Sequence, residues 1–421
     1  MDLIVWEEKG PAGNGAAVAG VLRRPTMDFL REIEEDAGIV PGGSGGPVER
    51  RWGERDRLFM KLALGQARRG LGWTSPNPAV GAVVARGGEV LAVGHHRQSG
   101  GPHAERAALE GLRGVDLSDA TLYVNLEPCC HYGATPPCTD LILERGIGSV
   151  VSSIQDPNPL VSGKGFRALT EGGARVEVGL MGNEAKRLNE AYLTRMSRGT
   201  PLVSVKVAAT LDGRIADASG RSKWITGPKA RSYGHYLRAV HDAVVVGSRT
   251  ALLDDPHLGV RLVRGRSPAK LVIDPILESV RAGARILDPE GPRTVYICGP
   301  DRPEGQAELA RAAGVELWEM PVDSSEGLDL GALLEKAAVE GFSSVLVEGG
   351  AATVTSFLKA RAVDKIYLFE APRILGAGSS WIDGVSVWGL EGSPTIRDLT
   401  VKKIGSDVLL WGYPDWSKAR K

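Results

Sequence analysis

From residue 55 onward, short apolar runs alternate with amphipathic segments, and this alternation is the strongest constraint on the fold. Residues 55–69 have the spacing of an amphipathic helix, and residues 80–85 and 89–93 are predicted strands joined by a turn at Gly87-Gly88. The alternation continues with a helix at 103–112, a strand at 121–125, a helix at 139–145 and a strand at 149–152. Short connections between such elements predict an α/β sandwich built on one sheet.

The second half of the chain alternates in the same way. Its strands are continuous apolar runs such as AVVV, which are typical of a parallel sheet covered on both faces. The predicted elements are strands at 202–208, 243–246, 270–274, 294–297, 345–347 and 365–369, and a helix at 229–240. We expect a doubly wound α/β architecture of the nucleotide-binding kind.

The length and composition predict three parts. Residues 1–52 form a flexible N-terminal extension, because the segment is rich in Gly and Pro, as in VPGGSGGP. Residues 53–198 form the first α/β domain, and residues 199–421 form the second. A chain of 421 residues fits two domains, since single domains usually run to about 100–200 residues.

The overall composition argues against several classes of protein. Lys and Arg number 51, as do Asp and Glu, so the chain lacks the excess positive charge of a nucleic-acid binder. It has no apolar run of about 18 residues and no basic-then-apolar start, so neither a membrane partner nor a signal peptide is expected. Of its four cysteines, Cys129, Cys130 and Cys138 cluster, which favours a metal site in a reducing compartment. We expect a cytoplasmic protein.

Two segments carry the residues of a catalytic zinc site. His103 and Glu105 lie at the start of a predicted helix, and Cys129 and Cys138 bracket a Gly- and Pro-containing loop. A catalytic zinc ion takes three protein ligands and keeps one position for water, whose pKa it lowers. Glu105 is the predicted catalytic proton shuttle, and the sequence matches the H-x-E and P-C…C signature of zinc deaminases. Eight residues separate the cysteines instead of the usual two, which indicates a subfamily.

Some alternatives remain open at this point. Cys130 could replace a ligand, although adjacent residues rarely coordinate one ion, and His131 is more suited to touching substrate. A purely structural zinc module would need a fourth protein ligand and would have no use for Glu105. A nucleic-acid base deaminase is the alternative enzyme, and the zero net charge argues against it.

The chain resembles the bifunctional deaminase/reductase family of riboflavin biosynthesis over about residues 53 to 415. The motifs that carry the resemblance are NPAVG (77–81), HAE (103–105), the loop 129–138 ending in TPPC, QDPNP (155–159), KVAATLDGR (206–214), SKWIT (222–226), LDDP (253–256) and VEGG (347–350). Their occurrence in this order on one chain is more specific than any single motif.

The resemblance implies two consecutive reactions. The first half, with a cytidine-deaminase-like fold, would use Zn²⁺ to deaminate 2,5-diamino-6-(5-phosphoribosylamino)pyrimidin-4(3H)-one. The second half, similar in fold to dihydrofolate reductase, would reduce the ribosyl group of the product to ribityl with NADPH. The implied partner is therefore a small phosphorylated pyrimidine, and we expect a homo-oligomer.

The resemblance also implies roles for individual residues. Around the reductase substrate, Lys206, Asp254 and Glu348 are polar candidates near the opening sugar, and Arg238 and Arg261 are candidates for its phosphate. The remaining substrate positions are Asn77, His96 and His131 in the deaminase, and Ser222 and Leu258 in the reductase. The implied cofactor positions are Ala208, Trp224, Thr250, Asp254, Gly350, Ala351, Ala352 and Thr353, the last four at a helix start that can receive a phosphate.

Three residues depart from the family pattern. Ala134 replaces a basic residue in the cysteine loop, Cys130 stands where Ser is usual, and Pro275 follows Asp274 where a small hydroxyl residue is common. The change at Ala134 removes one expected phosphate contact of the deaminase. An enzyme in which only the reductase half works is therefore a further alternative.

Overall fold

The computed structural model describes residues 52–133, 136–323, 327–383 and 388–417. The predicted N-terminal extension, apart from Trp52, and the departure at Ala134 lie outside these residues. Two sheets organise the described chain, one of five strands and one of nine. Among the described residues, every helix is too short or too polar to cross a bilayer.

The first sheet has the strand order β2-β1-β3-β4-β5, with β1 antiparallel to β2 and β3, and β3, β4 and β5 parallel. Its strands are β1 (Gly81–Arg86), β2 (Glu89–His95), β3 (Thr121–Val124), β4 (Ser149–Ser152) and β5 (Arg175–Val178). Its helices are α1 (Glu54–Arg68), α2 (Ala104–Leu109, continued by a 3₁₀ turn at Glu110–Leu112), α3 (Cys138–Glu144) and α4 (Lys164–Glu171).

Helices cover both faces of the first sheet. Successive residues of β1 point to opposite sides, so Ala82 and Val84 pack with α2, α3 and α4, and Val83 and Ala85 pack with α1. This arrangement confirms the predicted α/β sandwich on one sheet. Strand β5 and helix α4 were not among the predicted elements, because the four residues of β5 are exposed or only half-buried and lack an apolar run.

Two helices, α5 (Gly182–Leu188) and α6 (Glu190–Arg198), lead to the second sheet. That sheet has the order β11-β10-β9-β8-β14-β6-β15-β18-β17. The first seven strands in this order are parallel, and β18 is antiparallel to both of its neighbours, β15 and β17. Its strands are β6 (Leu202–Thr210), β8 (Ala243–Gly247), β9 (Ala269–Ile273), β10 (Thr294–Cys298), β11 (Glu316–Glu319), β14 (Ser344–Val347), β15 (Lys365–Ala371), β17 (Thr395–Ile404) and β18 (Asp407–Asp415).

Helices also cover both faces of the parallel part of this sheet. Two of them pack on one face with the side chains of Val203, Val205 and Val207, and three pack on the other. The first two are α10 (Leu330–Val339) and α11 (Ala351–Lys359), and the other three are α7 (Pro228–Val240), α8 (Ser248–Asp254) and α9 (Glu304–Ala312). The predicted parallel α/β layering of this half is thereby confirmed.

Short strand pairs complete the second half. They are β7 (Arg214–Asp217) with β16 (Gly378–Ser380), and β12 (Val322–Asp323) with β13 (Gly327–Leu328). A 3₁₀ turn spans Arg285–Leu287. The antiparallel pair β17–β18 at the sheet edge was not predicted, because most residues of β17 are exposed and the strand lacks an apolar run.

Candidate active sites

The predicted metal ligands come from three separate pieces of chain. His103 is the residue before α2, Cys129 lies in the loop after β3, and Cys138 is the first residue of α3. The backbone N–H of Thr139 donates to the carbonyl of Cys129 at 3.1 Å, which closes the long cysteine loop beside the start of α3. The fold thus brings together side chains that are up to 35 positions apart.

The three donor atoms have spacings that fit a zinc ion. His103 Nδ1 lies 3.4 Å from the Sγ atoms of both Cys129 and Cys138, and all three donors lie within 4.8 Å of one another. Ordinary tetrahedral Zn–N and Zn–S bonds separate such a nitrogen and sulfur by about 3.6 Å. A hydrogen bond from the Cys138 thiol lowers the pKa of Cys129 to about 4, and the same contact raises the pKa of Cys138. Two thiols and an imidazole nitrogen form a donor set that fits Zn²⁺.

Glu105 lies beside this group and inside the protein. It is the second residue of α2, and it is only 3% exposed. Burial, and then the charge of Cys129, raise the pKa of Glu105 to about 7. A carboxyl group with a pKa near neutrality can both accept and return a proton.

Two histidines next to the ligands have ring nitrogens available to a substrate. The His96 ring lies edge-on to that of His103, with centroids 5.3 Å apart, and its Nδ1 is 3.0 Å from the carbonyl of Pro102. Among the described residues, His96 Nε2 and His131 Nδ1 are buried and have no hydrogen-bond partner. Unpartnered buried polar atoms cost free energy, so both are suited to a bound polar ligand.

The cysteine loop is held by a buried carboxylate that the sequence interpretation missed. Glu127, two residues before Cys129, uses both oxygens to accept backbone hydrogen bonds of 2.9 to 3.2 Å. The four donors are the N–H groups of Asp156, Gly163, Gly165 and Phe166. Gly165 and Phe166 lie in the first turn of helix α4, where the helix dipole favours a negative charge. The QDPNP motif is thus fixed to the metal-ligand loop, which its position in the sequence did not reveal.

Asn77 lies on the exposed loop before β1. The next residues of this loop are held from both sides, since Ala79 exchanges hydrogen bonds with Asn189 and its carbonyl also accepts from Asn125. The carbonyl of Val80 accepts from the backbone N–H of His96 at 2.9 Å. The loop that carries Asn77 therefore joins directly to the segment that carries His96.

In the second half, the structure brings three predicted substrate residues into contact. Arg238 on α7 donates to Glu348 from Nε to Oε1 at 2.6 Å and from Nη2 to Oε2 at 3.0 Å. Lys206 Nζ on β6 lies 3.6 Å from the same Oε2. Although burial pushes the pKa of Glu348 upward, the charges of Arg238 and Lys206 lower it to about 2. This ion cluster lies at the carboxyl end of β14, where ligands of parallel α/β sheets bind.

The predicted cofactor residues at the start of α11 form a second group beside it. Gly350 precedes the helix without a capping side chain, and its N–H donates to Thr250 Oγ1 at 3.2 Å. A Cβ atom on Gly247 would lie 2.4 Å from Thr353 Oγ1, so β8 and α11 approach closely only because Gly247 has no side chain. The first N–H groups of α11, those of Ala351 and Ala352 among them, have no intrahelical acceptor and fit a phosphate.

The other predicted residues lie around these two groups. Leu258 is buried with a φ of 56°, and the N–H of the exposed Arg261 donates to His235 Nδ1 at 3.0 Å. Ala208 follows Lys206 on the same face of β6, and Asp254 ends α8. Ser222 is half-buried in the segment that precedes α7.

Trp224, a predicted cofactor residue, contacts the first turn of α7. It is 66% exposed, and its ring stacks on Arg231 at 4.6 Å. Arg231 precedes Arg238 by seven residues, or about 10 Å along the helix axis. The Arg231 contact therefore places Trp224 near the first turn of α7, whereas the ion cluster lies near the last turn of that helix.

His235 is a further residue beside the ion cluster that the sequence interpretation missed. It lies three residues before Arg238 on α7, and burial followed by the charge of Arg238 lowers its pKa to about 4. Its spacing of one helical turn from Arg238 is the signal that could have found it.

Comparison with known proteins relates each half of the chain to a separate family. Residues 53–154 match the family model of the cytidine and deoxycytidylate deaminase zinc-binding region, and residues 201–410 match that of the RibD C-terminal domain. The assignment of a deaminase-like first half and a reductase-type second half is confirmed by these matches.

Whole-length relatives carry both halves. The riboflavin biosynthesis protein RibD of Aquifex aeolicus is 41% identical over 359 residues, covering 85% of this chain and 98% of the relative. RibD of Escherichia coli strain K12 is 36% identical over 366 residues, with 85% and 98% covered. The crystal structure of a diaminohydroxyphosphoribosylaminopyrimidine deaminase/5-amino-6-(5-phosphoribosylamino)uracil reductase from Thermotoga maritima is 36% identical, with a TM-score of 0.75 over 86% of this chain and 99% of that one.

Proposed function

Since the chain belongs to the RibD family of riboflavin-biosynthesis enzymes, and is therefore a bifunctional zinc-dependent deaminase and NADPH-dependent reductase, we propose which of its residues carry out each reaction. Its first reaction is the hydrolytic deamination of 2,5-diamino-6-(5-phosphoribosylamino)pyrimidin-4(3H)-one. Its second is the reduction of the ribosyl group of that product to ribityl. The substrate is a free phosphorylated pyrimidine, and no nucleic acid is implied.

In the deaminase half, His103, Cys129 and Cys138 would hold the zinc ion, supported by nitrogen–sulfur spacings of 3.4 Å. Zinc bound there would supply Lewis-acid activation of a water for attack on the amino-bearing ring carbon. The Glu105 carboxylate accepts a proton from that water and returns it to the amino nitrogen, which leaves as ammonia. A pKa raised to about 7 by burial suits both steps.

Asn77, His96 and His131 bind the deaminase substrate. The unpartnered His96 Nε2 and His131 Nδ1 supply polar contacts next to the metal ligands. Because the His96 ring contacts His103, its substrate contact is also close to the reacting carbon. These three residues therefore orient the pyrimidine and its ribosyl phosphate.

In the reductase half, Lys206, Glu348 and Arg238 surround the opening sugar. NADPH, when bound, would supply the hydride for reduction of C1′. Lys206 Nζ, which lies 3.6 Å from Glu348 Oε2, donates a hydrogen bond to the sugar oxygen on which charge develops as the ring opens. Arg261 contributes positive charge for the substrate phosphate. Arg238 shares that role while it orients Glu348, and Ser222 and Leu258 complete the substrate pocket.

The cofactor binds along the carboxyl ends of β6, β8 and β14. Thr250, Gly350 and the first turn of α11, Ala351 to Thr353, receive one of its phosphates, supported by the uncapped helix start. Ala208, Asp254 and Trp224 are the remaining contacts. Trp224 has an exposed ring that is available to cover the cofactor.

One observation carries the proposal: the metal-ligand group of His103, Cys129 and Cys138, with the buried Glu105 beside it, shares a chain with the Lys206–Glu348–Arg238 cluster. The test is an end-point product analysis with the zinc-loaded protein, the diaminopyrimidine substrate, NADPH and NADH. We expect one ammonia released and one NADPH oxidised per substrate, with no NADPH oxidation before ammonia release. Oxidation of NADPH without ammonia release would show that only the reductase half is active.

We further propose that the protein is a homo-oligomer in the cytoplasm. The four cysteines are free thiols, which supports a reducing compartment. Strand β17 lies at the edge of the nine-stranded sheet and exposes Ile396, Leu399 and Val401, which supports an interface between copies. Light scattering after size-exclusion chromatography measures the oligomeric state, and a monomer across micromolar concentrations would contradict this part.

A further inference from the structure

Residues 75–78 (Ser-Pro-Asn-Pro), called the SPNP loop below, have two anchors in different halves of the molecule. On the C-terminal side, Ala79 is held by Asn125 and Asn189 through bonds of 2.8 to 3.0 Å. On the N-terminal side, Ser75 Oγ donates to Asp242 Oδ2 at 2.8 Å. Asn77 lies midway between these anchors, two residues from each.

The acceptor of the Ser75 bond is held rigidly by the second half. Asp242 lies between α7 and β8 and is only 7% exposed. Its Oδ2 also accepts from Ser343 N, Ser344 N and Ser344 Oγ, and its Oδ1 accepts from Arg266 at 3.2 Å. A charged acceptor fixed by several donors makes a stronger hydrogen bond than a mobile neutral one.

The chain that leads into the loop also touches the second half directly. Gly72 has a φ of +77°, and a Cβ atom built on it would lie 2.0 Å from the carbonyl oxygen of Ala239. The backbone before the SPNP loop therefore runs against the last turn of α7. The same turn contains Arg238, which binds Glu348.

We propose that Asp242 acts through Ser75 as a positioning residue for the deaminase, fixing the SPNP loop so that Asn77 meets the pyrimidine. This inference rests on the proposed role of Asn77 in the deaminase site. The reductase half thereby completes the substrate site of the other half. Zinc binding depends on His103, Cys129 and Cys138, which lie on other segments, so the contact acts on substrate binding.

The test uses the full-length, zinc-loaded chain and measures ammonia release against diaminopyrimidine concentration. In Ser75→Ala, the loop loses its bond to a charged acceptor. We expect the deamination KM to rise on the order of tenfold with kcat changed by less than about threefold. Zinc per chain, and reduction of separately supplied deaminated intermediate, remain at the wild-type level.

Two variants separate positioning from stability. Ser344→Ala removes another hydroxyl bonded to the same Asp242 oxygen but leaves Ser75, two backbone N–H donors and Arg266 in place, so its deamination KM should rise much less than that of Ser75→Ala. Ser75→Thr keeps a hydroxyl donor and restores most of the KM. The proposal is overturned if Ser75→Ala keeps a wild-type KM, or if Ser344→Ala raises it equally. The deaminase function itself is tested by the wild-type enzyme alone. If the wild-type enzyme releases no ammonia, the deaminase assignment fails, whatever the variants do.

Discussion

The Arg238 guanidinium binds both oxygens of the Glu348 carboxylate, with Nε 2.6 Å from Oε1 and Nη2 3.0 Å from Oε2. Sequence reasoning placed Arg238 on the substrate phosphate and Glu348 near the sugar as independent contacts. Their bidentate pairing makes them a single unit, because neither charge can be removed without leaving the other buried and unbalanced. Lys206 shares this unit through the same carboxylate.

The first prediction concerns the pH dependence of this unit. The pKa of Glu348 is lowered from 4.5, its value without these interactions, to about 2 in the folded protein. Its ionised form therefore stabilises the fold fully above about pH 4.5. That contribution, of order 3 kcal/mol, is lost as pH falls from 4.5 towards 2, because the unfolded chain takes up the proton first. In Glu348→Gln, the free energy of unfolding should be lower than wild type at pH 7, and the gap should narrow in that window. Urea unfolding at several pH values measures it; a gap independent of pH would contradict the assignment.

The second prediction concerns Glu105. Replacing it with Gln removes the proton acceptor but keeps the shape of the side chain, so ammonia release should fall by roughly 10²- to 10⁴-fold. Zinc content should stay at one per chain, since Glu105 is not a ligand in the proposed site. Reduction of supplied deaminated intermediate serves as the internal control. Normal ammonia release by Glu105→Gln would exclude Glu105 as the proton shuttle.

The third prediction concerns metal removal. Dialysis against a chelator, or Cys138→Ala, should abolish ammonia release while NADPH oxidation with the deaminated intermediate continues. The reason is that His103, Cys129 and Cys138 lie in the first half, on segments that carry none of the proposed reductase residues. Atomic absorption gives the zinc content, and readdition of Zn²⁺ should restore activity to the chelated wild type but not to the variant. Loss of both activities on chelation would contradict this separation.

The fourth prediction concerns Glu127. A Gln side chain presents an NH₂ group to two of the four backbone N–H donors, so Glu127→Gln should loosen the loop that carries Cys129. Partners that orient metal ligands typically contribute 10- to 100-fold to metal affinity, and a loss in that range is expected. Competition with a zinc-binding dye measures it. The exposed Glu171→Gln on α4 is the matched control, and equal affinities for the two variants would count against this role.

The fifth prediction concerns Thr250. Its hydroxyl accepts the N–H of Gly350 at 3.2 Å, and Thr250→Val removes that acceptor at the proposed phosphate site. We expect the KM for NADPH to rise about fivefold, with deamination unchanged. Ser356→Ala removes an exposed hydroxyl from the same helix and should leave the KM for NADPH as in wild type. If both variants behave alike, Thr250 does not contribute to the cofactor site.

Sequence reasoning was most successful where the signal is local. Strands β1 and β4 and helix α1 could be predicted from the spacing of apolar residues. The types of metal ligand could be predicted from a short motif. Contacts between distant segments could not be derived in this way. Arg238 and Glu348 are 110 residues apart, and Ser75 and Asp242 are 167 apart. Each pairing depends on how the second sheet stacks its strands and on how the two halves pack.

The anchoring role of Glu127 was missed for a related reason. Its carboxylate binds backbone N–H groups, which every residue but proline carries, so the partners leave no mark in residue identity. Strand β17 was missed because its exposed edge lacks the apolar alternation that marks a half-buried strand. The sequence therefore predicted chemistry-bearing side chains better than the groups that position them.

The contact between Ser75 and Asp242 is not alone at the junction. Glu190 on α6 binds Lys365 Nζ at 2.5 Å and accepts from Tyr413 at 2.7 Å, so the connecting helix is itself packed into the second half. Dividing the chain between α6 and β6 would separate Glu190 from Lys365 and Tyr413, and would remove the Ser75 donor from Asp242. Each half expressed alone would expose these polar groups to water, so the two halves should be less stable apart than within one chain.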